Sequence, residues 1–228
     1  MKSDKKVLFC GRKHDAYSIR AYKFLLKKFK NVTCIWSKKP GEKKKIDNRL
    51  KKIDILISFR NYFIFKKKHL KRVKLLSVNF HPGPPKYRGF GCANYAIYNR
   101  EKFYGVTAHL MNEKIDNGKI LNVIKFKIDK YITLEKLLKL THKYQVLQIR
   151  NVLNKLQDIN FDKKRIKKKF NNNYKWSSNL GTKKKLDSFY EIKKGTNLNK
   201  LKLKIRSTKI GNYKPYEVVK NKKFLIKC

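Results

Sequence analysis

The feature that most constrains the fold is an alternation in the first eighty residues. Four short apolar runs recur there, at residues 6–10 (KVLFC), 32–36 (VTCIW), 53–58 (IDILIS) and 75–80 (LLSVNF), with amphipathic stretches between them. Each run is rich in β-branched or aromatic residues and is bounded by polar ones, as buried strands are. Between the first two lies DAYSIRAYKFLLKKFK, where Tyr17, Ala21, Phe24 and Leu25 fall at helical spacing and Asp15 stands where a cap belongs. Residues 61–73 are expected to supply another helix. Strands alternating with helices predict βαβ units, hence an α/β, Rossmann-like fold whose mostly parallel sheet is covered by helices on both faces.

The rest of the chain is read the same way. After a loop rich in Pro and Gly, residues 92–99 are expected to form a short helix. Two alternating segments follow, YGVTAHLM and KILNVIKFKI. Thr133 then opens a long helix with Leu134, Leu137, Leu138, Ile149, Val152, Leu153 and Leu156 as its apolar stripe. Lysine and asparagine dominate residues 158–173, and the domain boundary is placed there. This gives a domain over 1–160 and a small C-terminal segment over 161–228. The segment holds a helix capped by Asn197 and ends in a β-hairpin, 216–220 against 223–227, turning at Asn221 and Lys222.

The formal charge of +46 points first toward nucleic acid. The basic residues, however, are overwhelmingly lysine, spread along the whole chain and mixed with Asn and Ile, which share AT-rich codons with it. Arginine, the residue that reads guanine edges and forks phosphates, is scarce. A solvated lysine surface without specific nucleic-acid recognition is the expectation. No window reaches the ~18 uncharged apolar residues that a membrane span requires, and the N-terminus is too short in apolar character for a secretory signal. The expected location is therefore cytoplasmic. Cys10, Cys34, Cys92 and Cys228 form no CxxC pair and no ligand spacing with the histidines, so neither a metal nor a disulfide is expected.

In open parallel sheets, ligands gather beyond the carboxyl ends of the strands. The loop after the first strand lacks GxGxxG, which argues against a dinucleotide cofactor. The loop after the fourth reads NFHPGPPKYRGFG. Asn79 and His81 lie two apart on a strand end, so their side chains emerge on one side, and three prolines and a glycine stiffen the backbone beyond them. The residues alone leave two readings open: a catalytic pair, or a hydrogen-bonded histidine beside a rigid turn.

The longer stretch VNFHPGPPKYRGFGCANYAIYN…YGVTAHLMNEKIDNGKIL resembles the signature of folate-dependent formyltransferases. Asn79–Pro82 matches the Asn-x-His-Pro loop of that family. Residues 105–109 match its Gly-Val-Thr strand, with a histidine two positions after the Thr, and 116–118 match its Asp-x-Gly loop. Only 15 of the 228 residues are acidic, which gives the aspartate at 116 added weight. His-Pro-Gly-Pro-Pro, the opening GRKHDAYSIRAYKFL and the tail IRSTKIGNYKPYEVV are most similar to sugar N-formyltransferases acting on nucleotide-linked amino sugars.

The resemblance implies transfer of a formyl group from N10-formyltetrahydrofolate, with no metal, to the amine of such a sugar. The expected substrate is dTDP-4-amino-4,6-dideoxyglucose, serving surface polysaccharide synthesis. Asn79 would donate an amide N–H to the developing oxyanion, His81 would be its second donor and the proton shuttle, and Asp116 would orient His81 and accept the proton from the amine. Folate binding is expected from Phe59, Arg60, Tyr62, Ile64, Ile115 and Asp116. Substrate binding is expected from Lys13, Tyr17 and Ser18 near a helix N-terminus, and from Gly83, Tyr87, Arg88 and Asn94. His109, facing away from Val106, Ala108 and Leu110, is expected to be structural or to support the site, and no role is assigned to His142. The hairpin is expected to make a homodimer. Three rivals remain: a methionyl-tRNA formyltransferase, whose branch carries a sizeable C-terminal β-barrel; a glycinamide ribonucleotide formyltransferase, which normally lacks such a C-terminal hairpin; and a non-catalytic basic nucleic-acid-binding protein.

Overall fold

The computed structural model describes residues 1–39, 42, 46–219 and 222–226. In chain order the elements begin with β1 (Ser3–Arg12), α1 (Ala16–Lys28), β2 (Phe29–Ser37), α2 (Asp47–Leu50), β3 (Ile55–Phe59), α3 (Lys67–Leu70) and β4 (Leu76–His81). They continue with β5 (Arg88–Gly89), α4 (Cys92–Tyr98), β6 (Phe103–Leu110), β7 (Ile120–Lys127), α5 (Leu134–Asp158) and α6 (Lys163–Lys169). The last are β8 (Leu180–Gly181), α7 (Lys183–Phe189), α8 (Leu198–Thr208), β9 (Tyr216–Val219) and β10 (Lys222–Leu225). Two units are formed. The first comprises Met1–Pro82, Val106–Ile124 and His142–Lys175; the second comprises Gly83–Gly105, Lys125–Thr141 and Trp176–Cys228.

The main sheet has the order β2-β1-β3-β4-β6-β7. β1 pairs parallel with β2 and β3, β3 pairs parallel with β4, and β6 joins β4 antiparallel. The mostly parallel α/β sheet read from the sequence is therefore present. Alternate side chains of a strand face opposite sides, and both sides of β1 are apolar. Val7 and Phe9 join Ala21 and Leu25 of α1 and Ile149, Val152, Leu153 and Leu156 of α5 in one core. Leu8 and Cys10 join Ile35, Leu50 and Leu56 in a second core on the opposite face. Burial on both faces is why these runs are apolar at successive positions. It also pushes the Cys10 thiol up to about 12.

Local signals set the helix ends. The Asp15 carboxylate accepts from the Ser18 N–H at 2.8 Å and caps α1, as its position in the sequence indicated. The helix expected over 61–73 shrinks to the single turn α3. Arg60 takes a left-handed φ of +53°, and the Asn61 side chain accepts from the Phe63 N–H at 2.5 Å, so a local side-chain bond displaces the helical one. Conversely, the lysine-rich stretch after residue 158 contains α6, capped by Asp162, which accepts from the Lys164 N–H at 2.8 Å. Ile166 and Phe170 bring it into the first core. Its lysines made the stretch read as a break.

In the second unit α4 packs on α8, where the Asn94 amide donates to the Ser207 carbonyl at 2.8 Å. Tyr95 and Tyr98 meet Phe189 edge-on at 4.9 and 5.1 Å. β9 and β10 pair antiparallel, which is the expected C-terminal hairpin, with Tyr216 opposite Leu225. Lys222, expected in the turn, instead opens β10 opposite Val219, whereas Lys220 and Asn221 lie outside the described residues, as do Lys227 and Cys228. Val218, Val219, Phe224 and Leu225 of the hairpin are exposed.

Leu156 is fully buried in the first core, whereas Leu147 on the same helix is exposed. Leu156→Ala is expected to lower stability by ~2–5 kcal/mol, and Leu147→Ala to stay within ~0.5 kcal/mol of the parent, both read from urea unfolding.

Candidate active site

Three neighbouring strands of the first unit end side by side, and register decides which side chains meet. β3 places Ser58 opposite Asn79 of β4, and β6 places His109 opposite Asn79 and Thr107 opposite His81. Asn79 and His81 share a face of β4 because they are two residues apart. The loop between β6 and β7 then brings in Asp116. Two backbone features make that possible. Asp116 holds a left-handed φ of +42°, a conformation that aspartate tolerates better than most residues. Gly118 passes so close to Leu110 that a Cβ there would stand 1.7 Å from the Leu110 carbonyl oxygen. The chain folds back through this gap, with the Leu110 N–H donating to the Lys119 carbonyl at 2.9 Å.

The result is a compact buried cluster. His81 Nδ1 lies 3.1 Å from Asp116 Oδ2, and His109 Nε2 lies 3.4 Å from Asp116 Oδ1. The Asn79 Nδ2 amide is 3.4 Å from Asp116 Oδ1 and 3.2 Å from His109 Nε2. His81 is 2% exposed and Asp116 8%. Burial alone would raise the Asp116 carboxyl, but the charge of His81 and the hydrogen bonds from both histidines outweigh it and hold the group well below the usual carboxylate range. Asp116 is thus an anion at neutral pH. His109 Nδ1 donates to the Leu110 carbonyl at 2.8 Å, which places a ring proton on Nδ1. With that proton on Nδ1, Nε2 faces both partners: when it carries a second proton it donates to Asp116 Oδ1, and when it does not it accepts from the Asn79 amide.

The other residues singled out in the sequence are dispersed. Phe59 is a core residue, ring to ring with Phe9 at 6.3 Å and Phe80 at 6.1 Å. Arg60 pairs through Nε with Asp15 Oδ2 at 3.0 Å. The Tyr62 ring lies under the Arg12 guanidinium at 4.2 Å. Ile64 is 72% exposed and Ile115 45%, so both present apolar surface. Lys13 is exposed, Tyr17 packs on His142 at 5.5 Å, and buried Ser18 donates from its hydroxyl to Asp15 at 2.7 Å. In the second unit, Gly83 is buried, Tyr87 donates to Glu101 at 2.8 Å, Arg88 donates to the Ser177 carbonyl at 2.9 Å, and Asn94 is tied to α8. Burial, ahead of the contact with the Glu101 carboxylate, raises the Tyr87 phenol.

His109, expected to be structural or to support the site, touches Asn79 and Asp116 directly, a contact set by cross-strand register. Two features escaped the sequence reading. Ser58 and Asn61 bond to the same cluster from β3 and its loop. His142, beside Arg60, is pushed down to about 3 by burial first and by the Arg60 charge second, and so is neutral. Among the described residues no cluster of metal-ligating side chains occurs and no helix is long and apolar enough to cross a membrane.

The formyl transferase family profile matches residues 10–153. The bifunctional polymyxin resistance protein ArnA of Wigglesworthia glossinidia brevipalpis is 43% identical over 89 residues, 39% of this chain and 14% of that protein. A methionyl-tRNA formyltransferase of Finegoldia magna is 35% identical over 96 residues, 42% of this chain and 30% of that protein. The aligned stretch thus spans less than a third of either relative. Solved structures are similar in fold over nearly the whole chain. A sugar N-formyltransferase from Shewanella sp. gives a TM-score of 0.76 at 18% identity, covering 98% of this chain and 97% of that one. A 4-N formyltransferase from Francisella tularensis gives 0.76 at 21%, covering 97% and 96%. The N-formyltransferase from Helicobacter canadensis in complex with folinic acid and dTDP-3-aminofucose gives 0.70 at 18%, covering 96% and 86%.

Gly118→Ala forces its new methyl onto the Leu110 carbonyl, and the loop carrying Asp116 must move. A loss of ~1–3 kcal/mol is expected in urea unfolding, together with altered His81 and His109 ring resonances in NMR spectra.

Proposed function

We propose that this chain, which belongs to the formyl transferase family, moves a formyl group from N10-formyltetrahydrofolate to the amine of a nucleotide-linked amino sugar. The observation that carries this reading is the buried set in which ionised Asp116 holds His81, with the Asn79 amide beside them. Acyl transfer to an amine develops negative charge on the formyl oxygen and releases a proton from the nucleophile, so a site needs an oxyanion donor and a base. The folate supplies the formyl group in activated form.

Each chain residue then has a task. Asn79 donates N–H to the oxygen that gains charge. His81, whose Nδ1 faces Asp116 at 3.1 Å, turns Nε2 toward substrate, where it donates when protonated and accepts when neutral. Asp116 fixes the orientation of His81, stabilises its protonated form, and takes the amine proton directly or through water; as the tetrahedral intermediate collapses, the bond from the formyl carbon to the folate nitrogen breaks and protonated His81 gives that departing nitrogen its proton. The residues suit a folate. Arg60, Asn61, Tyr62 and Ile64 lie outside regular structure just beyond β3, and Ile64 and Ile115 offer exposed apolar edges to a flat ring. Lys13, Tyr17, Ser18, Gly83, Tyr87, Arg88 and Asn94 are assigned to the sugar nucleotide.

The likeness in fold to sugar N-formyltransferases over nearly the whole chain supports an amino-sugar acceptor; of these, the Francisella protein is a 4-N formyltransferase and the Helicobacter protein binds dTDP-3-aminofucose. We favour dTDP-4-amino-4,6-dideoxyglucose, a cytoplasmic reaction, and a role in surface polysaccharide synthesis. A second reading, formylation of methionyl-tRNA, is favoured by the higher local identity to the Finegoldia protein. We assign residues 1–160 as the catalytic domain and 161–228 as the element whose exposed hairpin side chains meet their copies in a two-fold dimer.

His81→Asn is expected to lower turnover of formyltetrahydrofolate and the amino-sugar nucleotide by ~10²–10⁴ with an unchanged melting curve. Retained turnover would remove His81 from the mechanism. Ending the chain after Asn212 is expected to convert a dimer to monomer or aggregate in sedimentation. A full-length protein that sediments as a monomer at micromolar concentration would contradict the dimer.

A further inference from the structure

We propose that Ser58 is a positioning residue that holds the Asn79 side chain with its NH₂ toward the reacting oxygen. The argument rests on the direction of a hydrogen-bond chain. A backbone N–H can only donate. The Phe63 N–H donates to the Asn61 side-chain carbonyl at 2.5 Å, which leaves the Asn61 NH₂ as the end that faces Ser58. That NH₂ donates to Ser58 Oγ at 2.5 Å. A serine hydroxyl carries one proton, and with a donor already pointed at its oxygen, it sends that proton to Asn79 Oδ1 at 2.7 Å. Asn79 is therefore held carbonyl toward Ser58 and NH₂ toward Asp116 and His109. The donor-only amide of Phe63 fixes an orientation three side chains away.

The strand register places the two partners. Ser58 and Asn79 are direct neighbours on parallel strands β3 and β4, and Ser58 is 5% exposed, so water does not compete for its proton. On its other side the Asn79 NH₂ stands 3.2 Å from His109 Nε2 and 3.4 Å from Asp116 Oδ1. Both are longer than the ~2.9–3.0 Å of a strong N–H···O bond, so they yield to a better acceptor. An oxygen gaining negative charge is such an acceptor. Without Ser58, nothing on the β3 side holds the amide's carbonyl, and only the long contact with Asp116 keeps the NH₂ end toward the site, so the amide is freer to rotate away from the place where the donor is needed. Preorganised donors lose much of their value when they must first reorient.

This inference rests on the formyl-transfer reading, and its test separates the two. Ser58→Ala, Asn79→Ala and the double variant are assayed with formyltetrahydrofolate and the amino-sugar nucleotide, and Asn61→Ala acts on the same chain one step further out. Losing an oxyanion donor outright costs ~10²–10³ in kcat; Ser58→Ala is expected to lower kcat ~10–100-fold with both KM values within about twofold. On the Asn79→Ala background Ser58→Ala is expected to change kcat by less than about twofold, the signature of two residues acting through one group. Asn61→Ala is expected to give a smaller loss in the same parameter. In Ser58→Ala and in Asn61→Ala the Asn79 side-chain amide resonance, assigned by its loss in Asn79→Ala, is expected to shift and broaden. Inactivity of the parent protein would count against formyl transfer, and the amide resonance would still read the positioning. A kcat for Ser58→Ala within twofold of the parent, a loss carried by KM, an equal loss on the Asn79→Ala background, or an unmoved amide resonance would each overturn the proposal.

Discussion

A carboxylate taken out of water must be paired, and Asp116 is the group around which this site is arranged. Its burial opposes ionisation, and two histidines and an amide on adjacent strands restore the balance in favour of the anion. Breaking such a pair from one side leaves an uncompensated buried charge, which costs several kcal/mol. The loop that carries Asp116 is consequently under strict geometric demand. It holds a left-handed backbone angle at the aspartate itself, and two residues later it needs a glycine because a carbonyl occupies the space of a Cβ.

The sheet supplies the other half of the arrangement. Parallel strands β1, β3 and β4 end together, and β6 enters antiparallel beside β4. The antiparallel entry gives His109 and Asn79 a shared register position, and the parallel neighbour gives Asn79 its contact with Ser58. α5 secures this region from one face: Gln145 donates to the Phe80 carbonyl at 2.7 Å, and Gln148 to the Val106 carbonyl at 3.0 Å. Buried side-chain amides that bind strand carbonyls keep the strand ends fixed in a way that apolar packing alone does not.

Much of this could be read from the sequence. The four apolar runs, the Asp15 cap and the long apolar stripe of α5 are local or periodic signals, and each became the expected element. The Asn-x-His-Pro loop and the Asp-x-Gly loop pointed to Asn79, His81 and Asp116, and the fold brings Asn79 and His81 each within hydrogen-bonding reach of Asp116. What stayed hidden depended on register or on context. Ser58 is an unremarked serine at a strand end until β3 and β4 are aligned, and which groups His109 touches is set only when β6 lies against β4. The helix expected over 61–73 shrank because Asn61 spends its side chain on the backbone and on Ser58. α6 was masked by its own lysines, since Ile166 and Phe170 are its only large apolar anchors after Phe161.

The lysine surface is separate from this chemistry: within the cluster the ionisable groups are one carboxylate and two imidazoles. The most direct test of the account is a mass measurement. The protein is incubated with N10-formyltetrahydrofolate and a mixed panel of nucleotide-linked amino sugars with methionyl-tRNA present in the same reaction. The account predicts a formyl mass increment on an amino-sugar nucleotide and none on the tRNA. Formyl-methionyl-tRNA as the product, or no formylated product from any acceptor, would contradict it.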